Sequence, residues 1–422
     1  MPLPCRHQGV WIRSCAILGL VWGLAEVPAH AAVHYVRANA GGASNGTSWA
    51  DAWTDLQSAL TAAAVGDKVW VAAGTYRPSI RTFEHYPRSV TFQLVSGVEV
   101  YGGFPAAGGT WAERNPQAHE TILSGDLNGD DQPDFVNIAE NAYHVVTGSG
   151  VDASAVLDGF TIAAGNADGS FDPAYKGGGM YNQAGHPTIR NCLFIGNTGS
   201  GGTGIYNGAS HPTLTNCVFR NNRATSGGGA GSRGGGIWND AGSCPLVVNC
   251  LFEGNIASNG GGMANFSGSA PRVINCVFRG NSDGMSGGSL GGGICNADGA
   301  SCMLVNCLLV GNSVSYFGGA IDGSGWSGLN RFTLVNCTVV GNYVREGWPQ
   351  PMAAGLQGVV IELINCIVWG NRRCKAPEAF CVFDEGEVEQ VSGNTIVVNH
   401  SCVRGWTGSL GGVGNTGADP LF

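Results

Sequence analysis

The segment Asn191-Cys-Leu-Phe-Ile-Gly-Asn197 opens a repeat that dominates the second half of this chain of 422 residues. Six further segments share its pattern of Asn, Cys, a short and largely apolar stretch, and a closing Asn. They begin at Asn216, Asn249, Asn275, Asn306, Asn336 and Asn365, so that successive starts lie 25, 33, 26, 31, 30 and 29 residues apart. A period of this size predicts a solenoid whose repeats stack on one another.

A second motif lies between these heptapeptides and consists of a glycine run, an aliphatic residue and usually Asn. It occupies residues 177–182, 202–207, 234–239, 260–265 and 291–296, with a variant at 317–321. Each period therefore holds two or three short apolar segments separated by Gly, Asn, Ser and Pro, without helical periodicity. The sequence predicts an all-β protein, a single-stranded right-handed parallel β-helix of the pectate-lyase-like type.

Stacking in register decides which side chains meet. Strands of neighbouring coils lie about 4.8 Å apart, so a repeated residue contacts its own copies above and below. Alternation along the strand predicts that Cys192 and Phe194 face the core. It directs outward a column formed by Leu193, Val218, Leu251, Val277, Leu308, Thr338 and Ile367. This column is either a docking surface or the ordinary packing of aliphatic residues along a flat parallel sheet.

We divide the chain into four parts: residues 1–31, 32–170, 171–371 and 372–422. The second part is predicted to hold an N-terminal cap and the first coils, the third the regular repeats, and the fourth an irregular coil and tail. Residues 55–64 place Leu56, Ala59, Leu60 and Ala63 on one helical face, which predicts a helix that plugs the open end of the core. We expect no comparable cap beyond Asn371.

The first 31 residues have the features of a secretory signal peptide. Arg6 and Arg13 precede or flank an apolar stretch, and Ala29-His30-Ala31 is a small-x-small cleavage site. No later segment is apolar for long enough to span a membrane. With 21 Lys and Arg against 30 Asp and Glu, the net charge of −9 leaves no basic patch for nucleic acid. We expect a secreted or cell-surface protein.

Two groups of motifs resemble known families. Gly-Gly-Ala-Ile at 318–321 and the Phe-x-x-Asn pattern at 194–197, 219–222, 252–255 and 278–281 resemble the repeats of chlamydial polymorphic outer membrane proteins. Residues 46–53, 74–76, 121–126 and 419–422 are similar to motifs of the bacterial choice-of-anchor Q β-helix proteins. The resemblance covers nearly the whole chain after residue 31. It implies a β-helix at the cell surface or outside the cell, and no particular reaction.

Residues 126–134 are the best candidate for a metal site. Oxygen ligands occur there at the spacing of a calcium loop, from Asp126, Asn128, Asp130 and Asp134. Asp131 stands where an EF-hand has its glycine and Asn137 where it has its bidentate Glu. An acidic turn without metal is therefore the alternative, and Ca²⁺ is the one cofactor that the sequence suggests.

Seven of the 15 cysteines hold the second position of a heptapeptide. We expect these to be free thiols that act as small core residues, because in-register parallel side chains rarely reach disulfide torsion. Cys374 with Cys381, or Cys295 with Cys302, are candidates for disulfides that close loops in an oxidising compartment. No Cys-x-x-Cys pair or His cluster supports zinc or iron.

Parallel β-helices also house pectate lyases and polygalacturonases, whose chemistry needs converging carboxylates. Between residues 177 and 342 the acids are Asp240, Glu253, Asp283, Asp298 and Asp322. Asp240 and Asp298 follow equivalent glycine motifs and would share a face, either as site residues or as solvated turn residues. Trp326, Trp348 and Trp406 are candidates for stacking on sugars or for packing under loops.

These observations favour a non-catalytic extracellular protein, adhesin-like or structural, that binds a glycan or a protein. No catalytic residue is predicted. The alternative is a carbohydrate-active enzyme, a polysaccharide lyase or glycoside hydrolase, on the same fold.

Overall fold

Short strands and tight turns wind the chain into stacked coils. The computed structural model describes residues 31–225, 232–284, 290–324, 328–345, 353–374, 390–408 and 412–420. The predicted signal peptide falls outside these ranges except for its last residue. Strands pair in parallel with the equivalent strand of the next coil, as Leu193–Ile195 does with Val218–Arg220.

Among the described residues, 37 strands form the walls of the coils. One stack comprises Val33–Val36, Lys68–Ala72, Glu99–Phe104, Val156–Asp158, Thr188–Arg190, Thr213–Thr215, Leu246–Val248, Arg272–Ile274, Ser301–Val305, Arg331–Val335, Leu356–Ile364 and Val391–Asn399. A second stack comprises Phe92–Gln93, Val146–Thr147, Met180–Gln183, Ile205–Gly208, Ile237–Asp240, Met263–Asn265, Ile294–Asn296 and Ile321–Asp322. The two merge into one 20-stranded sheet because Leu356–Ile364 pairs with strands of both.

A further wall is an 11-stranded sheet, which we call the second sheet. It comprises Gly74–Tyr76, Thr121–Ser124, Thr161–Ala163, Leu193–Ile195, Val218–Arg220, Leu251–Glu253, Val277–Arg279, Leu308–Val310, Thr338–Val340, Ile367–Trp369 and Cys402–Val403. Two three-stranded sheets complete the coils: Asn166–Ala167, Thr198–Gly199 and Arg223–Ala224, and Ser313–Val314, Tyr343–Arg345 and Arg372–Cys374. The chain is an all-β parallel β-helix, as the repeat predicted.

Columns of like residues fill the core. Phe194, Phe219, Phe252 and Phe278 stack with centroid distances of 5.0, 4.8 and 4.4 Å. The heptapeptide cysteines form a second buried column and are all free thiols, as expected. Their sulfurs bond to the backbone instead, since the Cys217 amide donates to the Cys250 sulfur at 3.4 Å. Burial raises the pKa of the Cys192 thiol to about 12, which keeps it protonated and unreactive.

The disulfide predictions have different outcomes. Cys295 and Cys302 are both free, so a bridge between them is wrong. Alternation explains this, because Cys302 points into the main core whereas Cys295 lies between Ile294 and Asn296 on the other side of its strand. Cys374 is disulfide-bonded. Its predicted partner Cys381 lies outside the described residues, so that pairing stays a prediction.

The N-terminal end of the core is closed by the α-helix Leu56–Ala62. Asp55 caps it by accepting hydrogen bonds from the amides of Gln57 and Ser58, at 3.2 and 3.1 Å. Leu56, Ala59 and Leu60 are buried in the core, which confirms the predicted plug. Three 3₁₀ turns follow at Pro87–Ser89, Trp111–Glu113 and Pro133–Phe135.

The last coil, where the sequence predicts no cap, is covered only in part, since Val397 of its long strand is 43% exposed. The Thr416 amide donates to the Ser401 carbonyl at 3.0 Å, and Thr416 forms a parallel bridge with Cys402. Trp406 packs against the core cluster. In the described part of the chain, no helix is both long and apolar enough to cross a bilayer.

Candidate functional site

A continuous surface runs along the corner between the first stack and the second sheet. Its centre is the exposed row of the seven Asn that open the heptapeptides, each left-handed with φ between 52 and 55°. Asn tolerates this conformation better than other residues with a side chain. The Asn216 amide nitrogen donates to the Asn191 oxygen at 3.2 Å, and the same contact repeats from coil to coil as far as Asn365.

Two columns flank this row of amides. On the second sheet lies the predicted outward column from Leu193 to Ile367, which is half-buried and in register. On the first stack lies a column formed by the residue before each Asn: Arg190, Thr215, Val248, Ile274, Val305, Val335 and Ile364. We call the seven Asn and these two columns the ladder face.

Sequence reasoning missed the second of these columns. The outward column that it predicted lies inside the heptapeptide, whereas this column lies one residue before it. The signal was nevertheless present, because five of the seven heptapeptides follow a β-branched aliphatic residue, from Val248 to Ile364. The ladder face is therefore broader than the outward stripe that the sequence predicted.

Grooves lie at both ends of the ladder face. The N-terminal groove has a volume of about 900 Å³ and is lined by Arg114, Asn115, Gln117, Glu120, Asn191, Leu193, Asn216 and Val218, among others. The C-terminal groove has a volume of about 360 Å³ and is lined by Asn336, Thr338, Asn365, Ile367, His400 and Thr416, among others. A ligand along the ladder face would thus meet concave surfaces at both ends.

Charges at the N-terminal groove are mostly neutralised within the protein. Arg114 pairs with Asp158 at 2.7 Å, and both side chains are largely buried. Asp158 also pairs with Arg190 at 3.2 Å and accepts a hydrogen bond from Asn191 at 3.0 Å. Glu120 remains exposed and accepts a hydrogen bond from the Thr161 hydroxyl. The groove therefore offers mainly amides and aliphatic carbon to a ligand.

Acids of the repeat coils stabilise contacts between coils. Glu253 pairs with Arg279 and with Arg220, and these guanidinium groups lower the pKa of its carboxyl. Asp283 is buried and pairs with Arg345. Such ion pairs between coils account for two of the five acids in the region.

The other three acids occupy turns or the interior. Asp240 accepts a hydrogen bond from the Ala241 amide, and Asp298 lies in a left-handed turn with φ of 52°. Asp322 is fully buried, and burial raises its pKa to about 6 even though Ser324 donates hydrogen bonds to it. Within the described ranges, none of the five joins a group of three potential metal ligands.

Aromatic side chains of the repeat region are largely covered. Along the second stack of strands, Tyr181 stacks on Tyr206 and Tyr206 makes an edge contact with Trp238. Tyr206 is only 3% exposed and Trp238 only 6%. Trp406 packs against the core, and Trp326 and Trp348 lie outside the described residues. A sugar-stacking role is therefore not assigned to these rings.

The predicted calcium loop is rearranged around Asp126. Its carboxylate accepts hydrogen bonds from the amides of Gly129 and Asp130, at 2.6 and 3.2 Å. Asn128, Asp130 and Asp134, the other predicted ligands, are exposed. The structure instead gathers Asp126 with Asp131 and Glu140, whose nearest oxygens all lie within 4.8 Å of one another. Burial and the neighbouring carboxylates raise the pKa of Asp131 to about 6, although a hydrogen bond from Asn141 lowers it.

This geometry defines a class of protein, the stacked parallel solenoid, here with the ladder face as its uniform polar and aliphatic surface. A family model described as a right-handed β-helix region matches residues 171–396, which is more than half of the chain. The chain therefore belongs to the right-handed β-helix family. Membership in the choice-of-anchor Q or chlamydial families stays a prediction.

Two solved structures are similar to this chain. A pectate lyase, Pel9A, is 15% identical and the match covers 88% of this chain and 76% of that chain, with a TM-score of 0.41. A rhamnogalacturonan lyase is 14% identical and the match covers 88% and 87%, with a TM-score of 0.42. Similarity at this level carries no argument about activity. No curated protein matches the sequence significantly.

Proposed function

We propose that the protein is a secreted, non-catalytic β-helix that binds an uncharged polysaccharide along the ladder face. The observation that carries this proposal is the unbroken row of exposed Asn amides from Asn191 to Asn365 between two half-buried columns. A polymer with a regular repeat can make the same contact at successive coils, because the coils present the same groups about every 4.8 Å.

The chemistry of the ladder face suits a neutral glycan. Each amide uses one N–H and one oxygen lone pair on its neighbours, which leaves a second N–H and a second lone pair for hydroxyl groups. Aliphatic side chains such as Leu251 and Ile274 can contact the apolar faces of sugar rings. The paired state of Arg114 and Asp158 supports an uncharged ligand rather than an acidic one.

The environment of the acids supports a binding role rather than catalysis. A general acid or nucleophile has to reach the substrate, but Asp322 is fully buried and Asp283 is bound to Arg345. Glu253 is held between two arginines, which keeps its carboxylate ionised and engaged. These groups stabilise the stack of coils.

We expect the protein to bind at least one neutral polysaccharide in affinity electrophoresis through gels that contain single purified polysaccharides. Combined replacement of Val218, Leu251 and Val277 by Thr should weaken that binding about tenfold or more, because three apolar contacts are lost. Thr has the β-branched shape that strands favour, so the fold should persist. The matched control is Leu329→Thr, which alters a residue that is 74% exposed and lies off the ladder face.

Three results would overturn the proposal. Binding of acidic polysaccharides or proteins alone would refute the choice of ligand. Unchanged binding by the folded triple variant would refute the ladder face. Release of reducing ends or unsaturated products from any polysaccharide, with or without Ca²⁺, would show an enzyme instead.

A further inference from the structure

The loop after the strand Thr121–Ser124 folds back on itself outside the ladder face. Asp134, Phe135 and Asn137 all have left-handed backbone, with φ of 62, 63 and 64°. This reversal brings Glu140 next to Asp126 and Asp131, from which it is separated by 14 and 9 residues in sequence. The result is a pocket of three carboxylates that no linear motif describes.

Four acceptor groups meet in this pocket, and each of three of them has one buried oxygen without a hydrogen-bond partner. One carboxylate oxygen of Asp131 and one of Glu140 are buried without any hydrogen bond. The Asn141 side chain is 0% exposed, and its amide nitrogen donates to Asp131 at 2.9 Å. Its oxygen is on the same planar amide, is buried, and accepts nothing. Buried acceptors without partners are rare in proteins and indicate a missing water or ion.

Nearby positive side chains do not neutralise the pocket. Arg77 donates to the Asp126 backbone carbonyl at 2.5 Å, and Arg88 donates to the Asn141 carbonyl at 2.6 Å while pairing with Asp168. In the ranges that the structure describes, no Lys, Arg or His forms an ion pair with the three carboxylates. Their charge is thus left to a ligand.

We propose that Asp126, Asp131, Glu140 and Asn141 form a site for one Ca²⁺ ion. All four offer oxygen, which is the ligand atom that Ca²⁺ prefers. Oxygens on opposite sides of one Ca²⁺ are separated by about 4.8 Å, since each lies about 2.4 Å from the ion. The ligand oxygens of the three carboxylates lie within 4.8 Å of one another, as a shared ion requires.

The site is tested by calorimetric titration of CaCl₂ into protein freed of metal with a chelator. We expect one Ca²⁺ per chain, and a loss of affinity of tenfold or more in Asp131→Asn and in Glu140→Gln. The matched control is Asp134→Asn, because Asp134 is an exposed acid of the same loop outside the pocket. It should bind Ca²⁺ within about twofold of the unchanged protein.

Thermal unfolding gives a second measurement that does not depend on the heat of binding. Ca²⁺ should raise the Tm of the unchanged protein and of Asp134→Asn. In chelator, Asp131→Asn should have a Tm at or above that of the unchanged protein, because it removes charge repulsion, and Ca²⁺ should not raise it. Absence of Ca²⁺ binding in the unchanged protein would overturn the proposal. Equal loss of binding in Asp134→Asn and Asp131→Asn would also overturn it.

Discussion

Asn255 uses every hydrogen-bonding position of its side-chain amide. The nitrogen donates to the Phe219 carbonyl at 2.9 Å and to the Asn281 oxygen at 3.0 Å. The oxygen accepts from the backbone and side-chain nitrogens of Asn222, at 3.1 and 3.0 Å. Asn249, at the other end of the same heptapeptide, is exposed, adopts φ of 54° and exchanges side-chain hydrogen bonds with Asn216 and Asn275. One residue type thus performs a surface task and a core task six positions apart.

These two tasks predict different costs for the same substitution. Asn255→Ala should destabilise the protein by about 3 kcal/mol or more, because four hydrogen bonds are lost and several buried groups are left unpaired. Asn249→Ala should cost only about 1–2 kcal/mol, because Ala lacks the side-chain amide that favours left-handed backbone and the hydrogen bonds lost with Asn216 and Asn275 are exposed to solvent. Urea unfolding of both variants gives the comparison. Equal loss of stability in the two variants would contradict this account.

Residue identity alone predicted part of the candidate sites. The inward Cys192 and Phe194 and the outward Leu193 follow from alternation, and the structure confirms all three. The proximity of Asp131 to Glu140 could not be predicted, because it depends on the left-handed backbone of Asp134, Phe135 and Asn137. A β-branched or aromatic residue such as Phe135 is seldom left-handed, so no sequence pattern signals the reversal.

Short elements behave differently from long ones in this fold. The sequence predicts one strand over residues 156–162, but the structure has two, Val156–Asp158 and Thr161–Ala163. A corner at Gly159, with φ of 82°, separates them. Apolar residues on both sides of the corner are buried, so the hydrophobic pattern of the sequence does not show where one strand ends and the next begins. The cap helix was easier to predict, because its apolar period extends over two turns.

The cap helix should contribute to stability through its buried leucines, of which Leu60 is one. Leu60 is 2% exposed and part of the main core cluster. Leu60→Ser should destabilise the protein by about 2–4 kcal/mol, since it removes buried carbon and leaves a hydroxyl at the end of the core. Val65, just after the helix, is 82% exposed, so Val65→Ser should change stability by less than about 0.5 kcal/mol. Thermal unfolding of the two variants tests whether the helix closes the core. Equal stability of Leu60→Ser and Val65→Ser would show that it does not.

At the scale of the molecule, the described strands of each coil pair only with those of the two neighbouring coils. Stability in such a solenoid is approximately the sum of coil and interface contributions, so the ends are weaker than the middle. The strand Cys402–Val403 has a single strand neighbour, Ile367–Trp369, whereas Leu251–Glu253 is paired on both sides. Repeat length and composition predicted this architecture, but the cover over the last coil comes from contacts of Thr416 and Trp406 that no repeat encodes.

Hydrogen exchange should therefore be graded along the axis. Peptides that contain Leu251–Glu253 should exchange most slowly, and those that contain Cys402–Val403 should exchange earliest among the strands. Mass spectrometry of deuterium uptake over seconds to hours measures this gradient. Uniform protection from the first coil to the last would show that the molecule opens as a single unit.

The uniform register of the heptapeptides also fixes the length of the ladder face as a whole number of coils. The spacing between successive Asn of the row varies from 25 to 33 residues, yet the strands of neighbouring coils remain in register. Gene duplication or loss of one whole repeat would lengthen or shorten the edge by one increment of about 4.8 Å and introduce no new type of contact. The length of the ladder face can therefore change by whole coils during evolution, while the contacts that each coil makes with a ligand stay the same.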